Sequence, residues 1–148
     1  MTFIKTEQDA AGDEFDIHHQ DSLILCPAMS LFLKTYAEVL DSGFANPSIT
    51  WKNSNRMVWA ERDQQVIAGI CYEYMPEIKL GWIVLIFTDK KFRGRRLKEK
   101  LHDVFEKDIQ GLGGKRLGSF VHMNNVSSLK SAERVGLLPD FYRMYKKI

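Results

Sequence analysis

"LIFTDKKFRGRRLKEKL", residues 85 to 101, decides how the chain is read. Apolar side chains run unbroken from Trp82 to Phe87, Gly94 stands among arginines, and a charged amphipathic segment follows. A fully apolar run of this kind is a strand covered on both faces, in the middle of a sheet. Beyond the arginines, Leu97, Leu101, Val104, Phe105 and Ile109 recur at helical spacing, with Lys98, Glu99, Lys100, Asp103, Glu106 and Lys107 largely opposite. The stretch is therefore strand, turn, helix. At such a turn the first helical N–H groups lack partners and point out of the positive end of the dipole, so they attract an anion. Gly94 lets the backbone approach a ligand, and Arg93, Arg95 and Arg96 add full charges. By themselves these residues serve equally well as a solvated basic turn.

Outward from this centre the periodicity changes several times. Met29, Phe32, Leu33, Tyr36 and Leu40 form one apolar face of a helix from about Pro27 to Asp41, with Gly43 at its exit. Met57–Ala60, Val66–Tyr74 and Leu80–Thr88 read as three strands. Gly111, Gly113 and Gly114 stop the long helix, and Lys115–Met123 alternates as a strand. Asn125 caps a short helix whose N3 residue is Ser128, Gly136 ends it, and Phe141–Ile148 is a last strand. Residues 1–20 read as an edge strand followed by a loop, or as wholly mobile. The order predicts an α/β (α+β) fold over residues 1–148 as one domain: a mixed, mostly antiparallel central sheet flanked by helices.

Bulk properties exclude several classes. The chain has 148 residues, 45% hydrophobic and 27% charged, with a net charge of +2. That balance is too small for polyanion binding over the whole surface, so any nucleic-acid role needs a local cluster. Cys26 and Cys71 match no metal-ligand spacing and read as reduced, buried thiols, and no metal site is expected. The acidic, polar start is no signal peptide, and no apolar run reaches the roughly 20 residues of a membrane span. A cytoplasmic location is expected.

The stretch from Gly81 onward resembles the GNAT family of N-acetyltransferases. In that family the fourth strand enters a phosphate-binding turn of the form (Gln/Arg)-x-x-Gly-x-(Gly/Ala), then a helix. Here Asp89, Phe92, Arg93-Gly94 and Leu101 keep the rhythm, "NVSSLKSAERVGL" (125–137) matches the Asn-initiated helix ending in Gly, and "FYRMYKKI" matches the closing strand. The resemblance covers roughly residues 57–148. Aligned by Arg93, the turn departs from the family form, with Arg96 at the usual Gly and Lys98 at the usual Gly/Ala. The short helix carries Ala132 where a proton-donating Tyr is common.

The resemblance implies acetyl-CoA, or another acyl-CoA, as co-substrate and direct attack of an amine on its thioester. Main chain at Ile86, Phe87 and Thr88 would face the thioester arm, and one N–H there would polarise the carbonyl. Arg93, Gly94, Arg95, Arg96, Leu97 and Lys98 would hold the pyrophosphate, with Asn125 and Ser128 also at the coenzyme. Glu73, in the strand beside the fourth, is the candidate base, directly or through water; an outward-facing strand carboxylate is the plainer reading. Tyr142, ahead of Tyr145, is the candidate acid, against ordinary packing. His122 reads as structural, and His18-His19 as surface. The acceptor is a small-molecule or protein amine. Two alternatives stand beside this: a nucleic-acid-modifying enzyme of the same fold, steered by Arg93, Arg95, Arg96, Lys98, Lys100 and Lys115-Arg116, and a non-catalytic binding protein. A homodimer is left open by Trp51, Trp59 and Trp82, and no membrane partner is expected.

Overall fold

The computed structural model describes residues 1–44 and 50–140. The expected closing strand, with Tyr142 and Tyr145, lies outside the described residues. Among the described residues six strands form one sheet in sequence order: β1 (Thr2–Gln8), β2 (Glu14–Gln20), β3 (Arg56–Arg62), β4 (Gln65–Met75), β5 (Leu80–Thr88) and β6 (Arg116–Ser119). Neighbours are antiparallel except β5 and β6, which run parallel. Helices α1 (Met29–Ser42), α2 (Leu97–Gly111) and α3 (Val126–Arg134) complete the mixed, mostly antiparallel architecture expected from the pattern.

Residues 1–20 hold the expected edge strand, β1, and the segment read as a loop is a second strand, β2, joined to it in a hairpin turned by Asp9–Asp13. The strand signal in "EFDIHHQ" is thin because only Phe15 and Ile17 point into the core, at 2% and 0% exposure. The polar residues between them lie on the other face or pair with neighbours. His18 and His19 are not surface residues either. His18 stacks on Trp59 at 5.5 Å between ring centroids, and the His19 ring nitrogen Nε2 lies 3.1 Å from the Tyr72 hydroxyl.

Two cores lie on opposite faces of the sheet. Beneath α2, the side chains of Leu97, Leu101, Phe105 and Ile109 pack with Ile17, Val58, Ile70, Tyr72 and Ile83. Beneath α1, Phe32 packs with Met57, Trp59, Cys71, Leu85 and Phe87. Both cysteines are free and buried, and burial pushes the Cys71 thiol up to about 12.

β5 is more informative than its uniform apolar sequence. Its burial alternates residue by residue, with Gly81, Ile83, Leu85 and Phe87 buried and the rest half-buried. Yet Ile83 belongs to the α2 core, whereas Leu85 and Phe87 belong to the α1 core. The switch happens at a bulge: Cys71 lies opposite Leu85 and Tyr72 opposite Ile83, so Val84 has no counterpart. One extra residue re-aims every side chain beyond it.

Candidate active site

The bulge sits where the sheet opens. β6 pairs with β5 only from Leu80↔Arg116 to Ile83↔Ser119, and then ends. From Val84 to Thr88, β5 has β4 on one side and no strand on the other among the described residues. The Asp89 N–H donates to the Ile67 carbonyl at 2.8 Å, which fixes the alternation of the ladder. Main-chain groups of Phe87 therefore point at Gly69 of β4, whereas those of Ile86 and Thr88 point into the opening. The Thr88 carbonyl does so visibly, accepting from Arg93 Nε at 3.4 Å. Of the three residues expected there, two present their backbone to the opening and Phe87 presents its buried ring to α1.

The turn continues directly from this edge. Asp89 caps a short 3-10 turn (Lys90–Phe92), its Oδ1 accepting from the Lys91 N–H at 2.9 Å. Gly94 follows at φ +75°, and a Cβ built there meets nothing within 4 Å. Arg96 takes a left-handed conformation, φ 59°, as the residue preceding α2, and among the described residues no side chain caps that helix. The first N–H groups of α2 thus lack side-chain acceptors at the open end of β5, which is what an anionic ligand requires. The Arg96 side chain is exposed.

The basic side chains are less available than their number suggests. Arg93 pairs with Glu38 of α1 at 3.6 Å, Lys100 with Glu7 at 3.3 Å, and Arg95 with Asp9 and Asp13 at 3.3 and 3.1 Å. Of the residues from 93 to 100, Arg96 and Lys98 alone carry a cation without an ion pair among the described residues. Lys98 is half-buried, and burial pushes its ammonium below the usual lysine range. One turn on, His102 is buried and its Nε2 has no hydrogen-bond partner among the described residues. Burial, then the Lys98 charge, lowers its pKa against the opposing pull of Asp103.

After β6, α3 is built as the sequence predicts. Asn125 Oδ1 accepts from the Ser128 N–H at 3.2 Å, and Gly136 turns the chain out at φ +84°. Ala132 is buried on its inner side. Glu73 of β4 lies opposite Trp82 of β5, with Lys52 Nζ at 3.3 Å from its carboxylate. His122 lies beyond β6, its Nδ1 accepting from the Asn124 N–H at 3.1 Å.

A polar group that sequence reading missed lies under α2. Asp108 receives two bonds from Arg56, at 2.7 and 3.0 Å, and one from the Tyr72 hydroxyl at 2.7 Å, with His19 Nε2 at 3.5 Å. Burial would raise the Asp108 carboxyl, but the bonds from His19, Arg56 and Tyr72 outweigh it and hold it well below the carboxylate range. These residues come from three strands and a helix, so no local spacing announces them. Among the described residues no cluster of His, Cys, Asp and Glu has the makings of a metal site, and no helix is long and apolar enough to cross a membrane.

Comparison with known proteins places this geometry. No curated protein sequence matches the chain. Solved structures do match in fold. A ribosomal-protein-alanine N-acetyltransferase from Brucella melitensis biovar Abortus 2308 is 16% identical at a TM-score of 0.68, covering 90% of this chain and 99% of its own. An aminoglycoside acetyltransferase from an uncultured soil metagenomic sample, in complex with sisomicin, is 12% identical at 0.70, covering 90% and 96%. AAC(6')-Iy in complex with the bisubstrate analogue CoA-S-monomethyl-acetylneamine is 17% identical at 0.66, covering 92% and 99%. The sequence profile of the acetyltransferase (GNAT) family matches residues 26–137, most of the chain and all of the opened strand, turn and capped helix. With that profile matching residues 26–137 and the fold agreeing with it, the chain belongs to the GNAT family of acetyltransferases.

Proposed function

We propose that the protein transfers an acetyl group from acetyl-CoA to a primary amine. The observation that carries this reading is the continuity of the open β5 edge with the uncapped start of α2. An extended arm bonded to Ile86 and Thr88 leads straight to N–H groups suited to a pyrophosphate at Gly94–Lys98. Arg93 and Arg96 border that turn, Leu97 anchors the helix beneath it, and Asn125 and Ser128 shape the far wall. Acetyl-CoA, when bound, supplies the activated carbonyl. The N–H of Ile86 or Thr88 then stabilises charge developing on the carbonyl oxygen. Glu73 takes the proton of the attacking amine, directly or through water, and Tyr142 gives one to the departing thiolate, since Ala132 has none to give.

Proteins of this fold whose structures match include enzymes named for aminoglycosides and for a ribosomal-protein alanine. A small-molecule or protein amine as acceptor is in keeping with this reading. The nucleic-acid reading loses support because Arg93, Arg95 and Lys100 are already paired with carboxylates. Thermal-shift titration tests the cofactor: the melting temperature should climb with acetyl-CoA concentration. No shift with millimolar CoA, acetyl-CoA or longer acyl-CoA would remove the reading.

A further inference from the structure

The turn between β1 and β2 reaches across the sheet edge to the turn before α2. The Ala10 N–H donates to the Arg95 carbonyl at 3.0 Å, while Asp9 and Asp13 receive the Arg95 guanidinium. The two oxygens of Asp9 divide their roles. Oδ1 accepts the Ala11 and Asp13 N–H groups, at 2.8 and 3.0 Å, and so shapes its own turn. Oδ2 accepts Arg62 Nη2 at 2.9 Å and Arg95 Nη1 at 3.3 Å. Both guanidinium groups lie over the Phe92 ring, 5.4 and 5.3 Å from its centroid. The Asp9 side chain is fully inaccessible to solvent, although it sits at a hairpin tip.

This arrangement grips Arg95 by main chain and side chain together, one residue before the left-handed Arg96 that aims the first N–H groups of α2. We infer that Asp9 is a positioning residue for acyl-CoA: through Arg95 it locks the anion-binding turn in its ligand-ready shape. The inference rests on the coenzyme reading above. A carboxylate held by two guanidinium groups is a fixed point, because leaving either charge unpaired in a buried site is costly. The Arg62 bond comes first in holding the Asp9 carboxyl down at about 2, with the Asp13 and Ala11 N–H groups and Arg95 adding to it against burial. Asp9 therefore keeps its charge at every ordinary pH. Arg95 then serves the ligand without touching it.

Asp9→Asn separates these roles, since it keeps one acceptor for the Asp9 turn but places an amide against the arginines. Three measurements on the full chain decide the matter: acyl-CoA KM and kcat, acetyl-CoA affinity by calorimetry, and hydrogen exchange at the Ala10 amide, which donates to the Arg95 carbonyl. The expected result is a roughly tenfold rise in KM and Kd for acetyl-CoA with kcat at saturation held, and faster exchange at Ala10 while the hydrogen-bonded amides of α2 stay protected. Arg62→Gln, which breaks the same buried pair but leaves Asp9 on Arg95, should lower the melting temperature with little change in affinity. Equal loss of affinity in both variants, or wild-type affinity in Asp9→Asn, overturns the inference. Should Asp9→Asn not fold, Asp13→Asn at the exposed end of the clasp takes its place, and unchanged affinity there overturns it as well. A wild-type protein that binds no acyl-CoA overturns the coenzyme reading itself, and this inference with it.

Discussion

Arg56 and Asp108 meet in a two-pronged ion pair, Nε to Oδ2 at 2.7 Å and Nη2 to Oδ1 at 3.0 Å, that fastens α2 to β3. Each side chain is 21% exposed, so solvent screens the pair only in part. Asp108→Asn leaves the guanidinium half-buried without its counter-charge and should cost about 2–3 kcal/mol. Tyr72→Phe, which removes a single donor to the same carboxylate, should cost about 1 kcal/mol. Urea unfolding measures both, and a double-mutant cycle between them should reveal coupling because they share Asp108.

Gly69 is required by close approach. A Cβ there would lie 2.3 Å from Phe87 Cζ, and Phe87 is itself buried under α1. Gly69→Ala should destabilise by about 1–3 kcal/mol, because the ring has no free space to enter. The displaced ring moves β5 at the residue between Ile86 and Thr88, so acetyl-CoA affinity should fall in parallel. Unchanged affinity in a destabilised variant would separate the ring from the site.

At Gly94 space is open, and the demand is purely conformational. Gly94→Ala meets no atom but must hold φ near +75°, at a cost of roughly 1–2 kcal/mol. Gly94→Pro cannot hold it at all and should abolish coenzyme binding while α2 and the sheet remain folded. Calorimetry with acetyl-CoA, alongside far-ultraviolet circular dichroism, reads the two effects separately.

Glu73→Gln and Tyr142→Phe test the proton transfers. A positioned acid or base is worth about 100- to 10,000-fold, so each change should lower kcat at least tenfold with coenzyme affinity nearly unchanged. Normal turnover in Tyr142→Phe would return that residue to packing and leave water as the donor.

Acid should unfold the protein through its paired carboxylates. Asp9 drops from the ordinary 3.8 to about 2, and Asp108 is lowered further in the same direction. Groups lowered by folding contribute stability that is complete above the unfolded value and is lost as pH falls through the folded one. The urea midpoint should therefore decline below about pH 4, and Asp9→Asn should flatten that decline between about pH 4 and 2.

The elements legible in the sequence were those with strong local period. The three central strands, the α2 face and the Asn125 cap lie where spacing and capping chemistry put them, because each is decided within a few residues. The hairpin of β1 and β2 was not legible, since His18, His19 and Asp16 hide a two-residue apolar alternation behind polar side chains. The bulge at Val84 was invisible for a different reason: its effect is a change of face, and an apolar run covered on both faces carries no mark of which side is which. The clasp of Asp9 on Arg95 joins positions 86 apart, and the Arg56–Asp108 pair joins positions 52 apart. Charges at such separations find each other only after the sheet exists.

Strand order in space follows strand order in the chain, and this has a kinetic consequence. β1 with β2, and β3 with β4 and β5, close through short local connections that fold early at little entropic cost. The one parallel junction among the described strands, β5 with β6, needs the whole of α2 to form and cross first. Among the described strands, the opening beside β5 is therefore expected to be assembled last on refolding. Pulsed hydrogen exchange should show the β3–β5 amides protected before Leu117–Ser119, so that a nearly complete sheet exists, briefly, without a site.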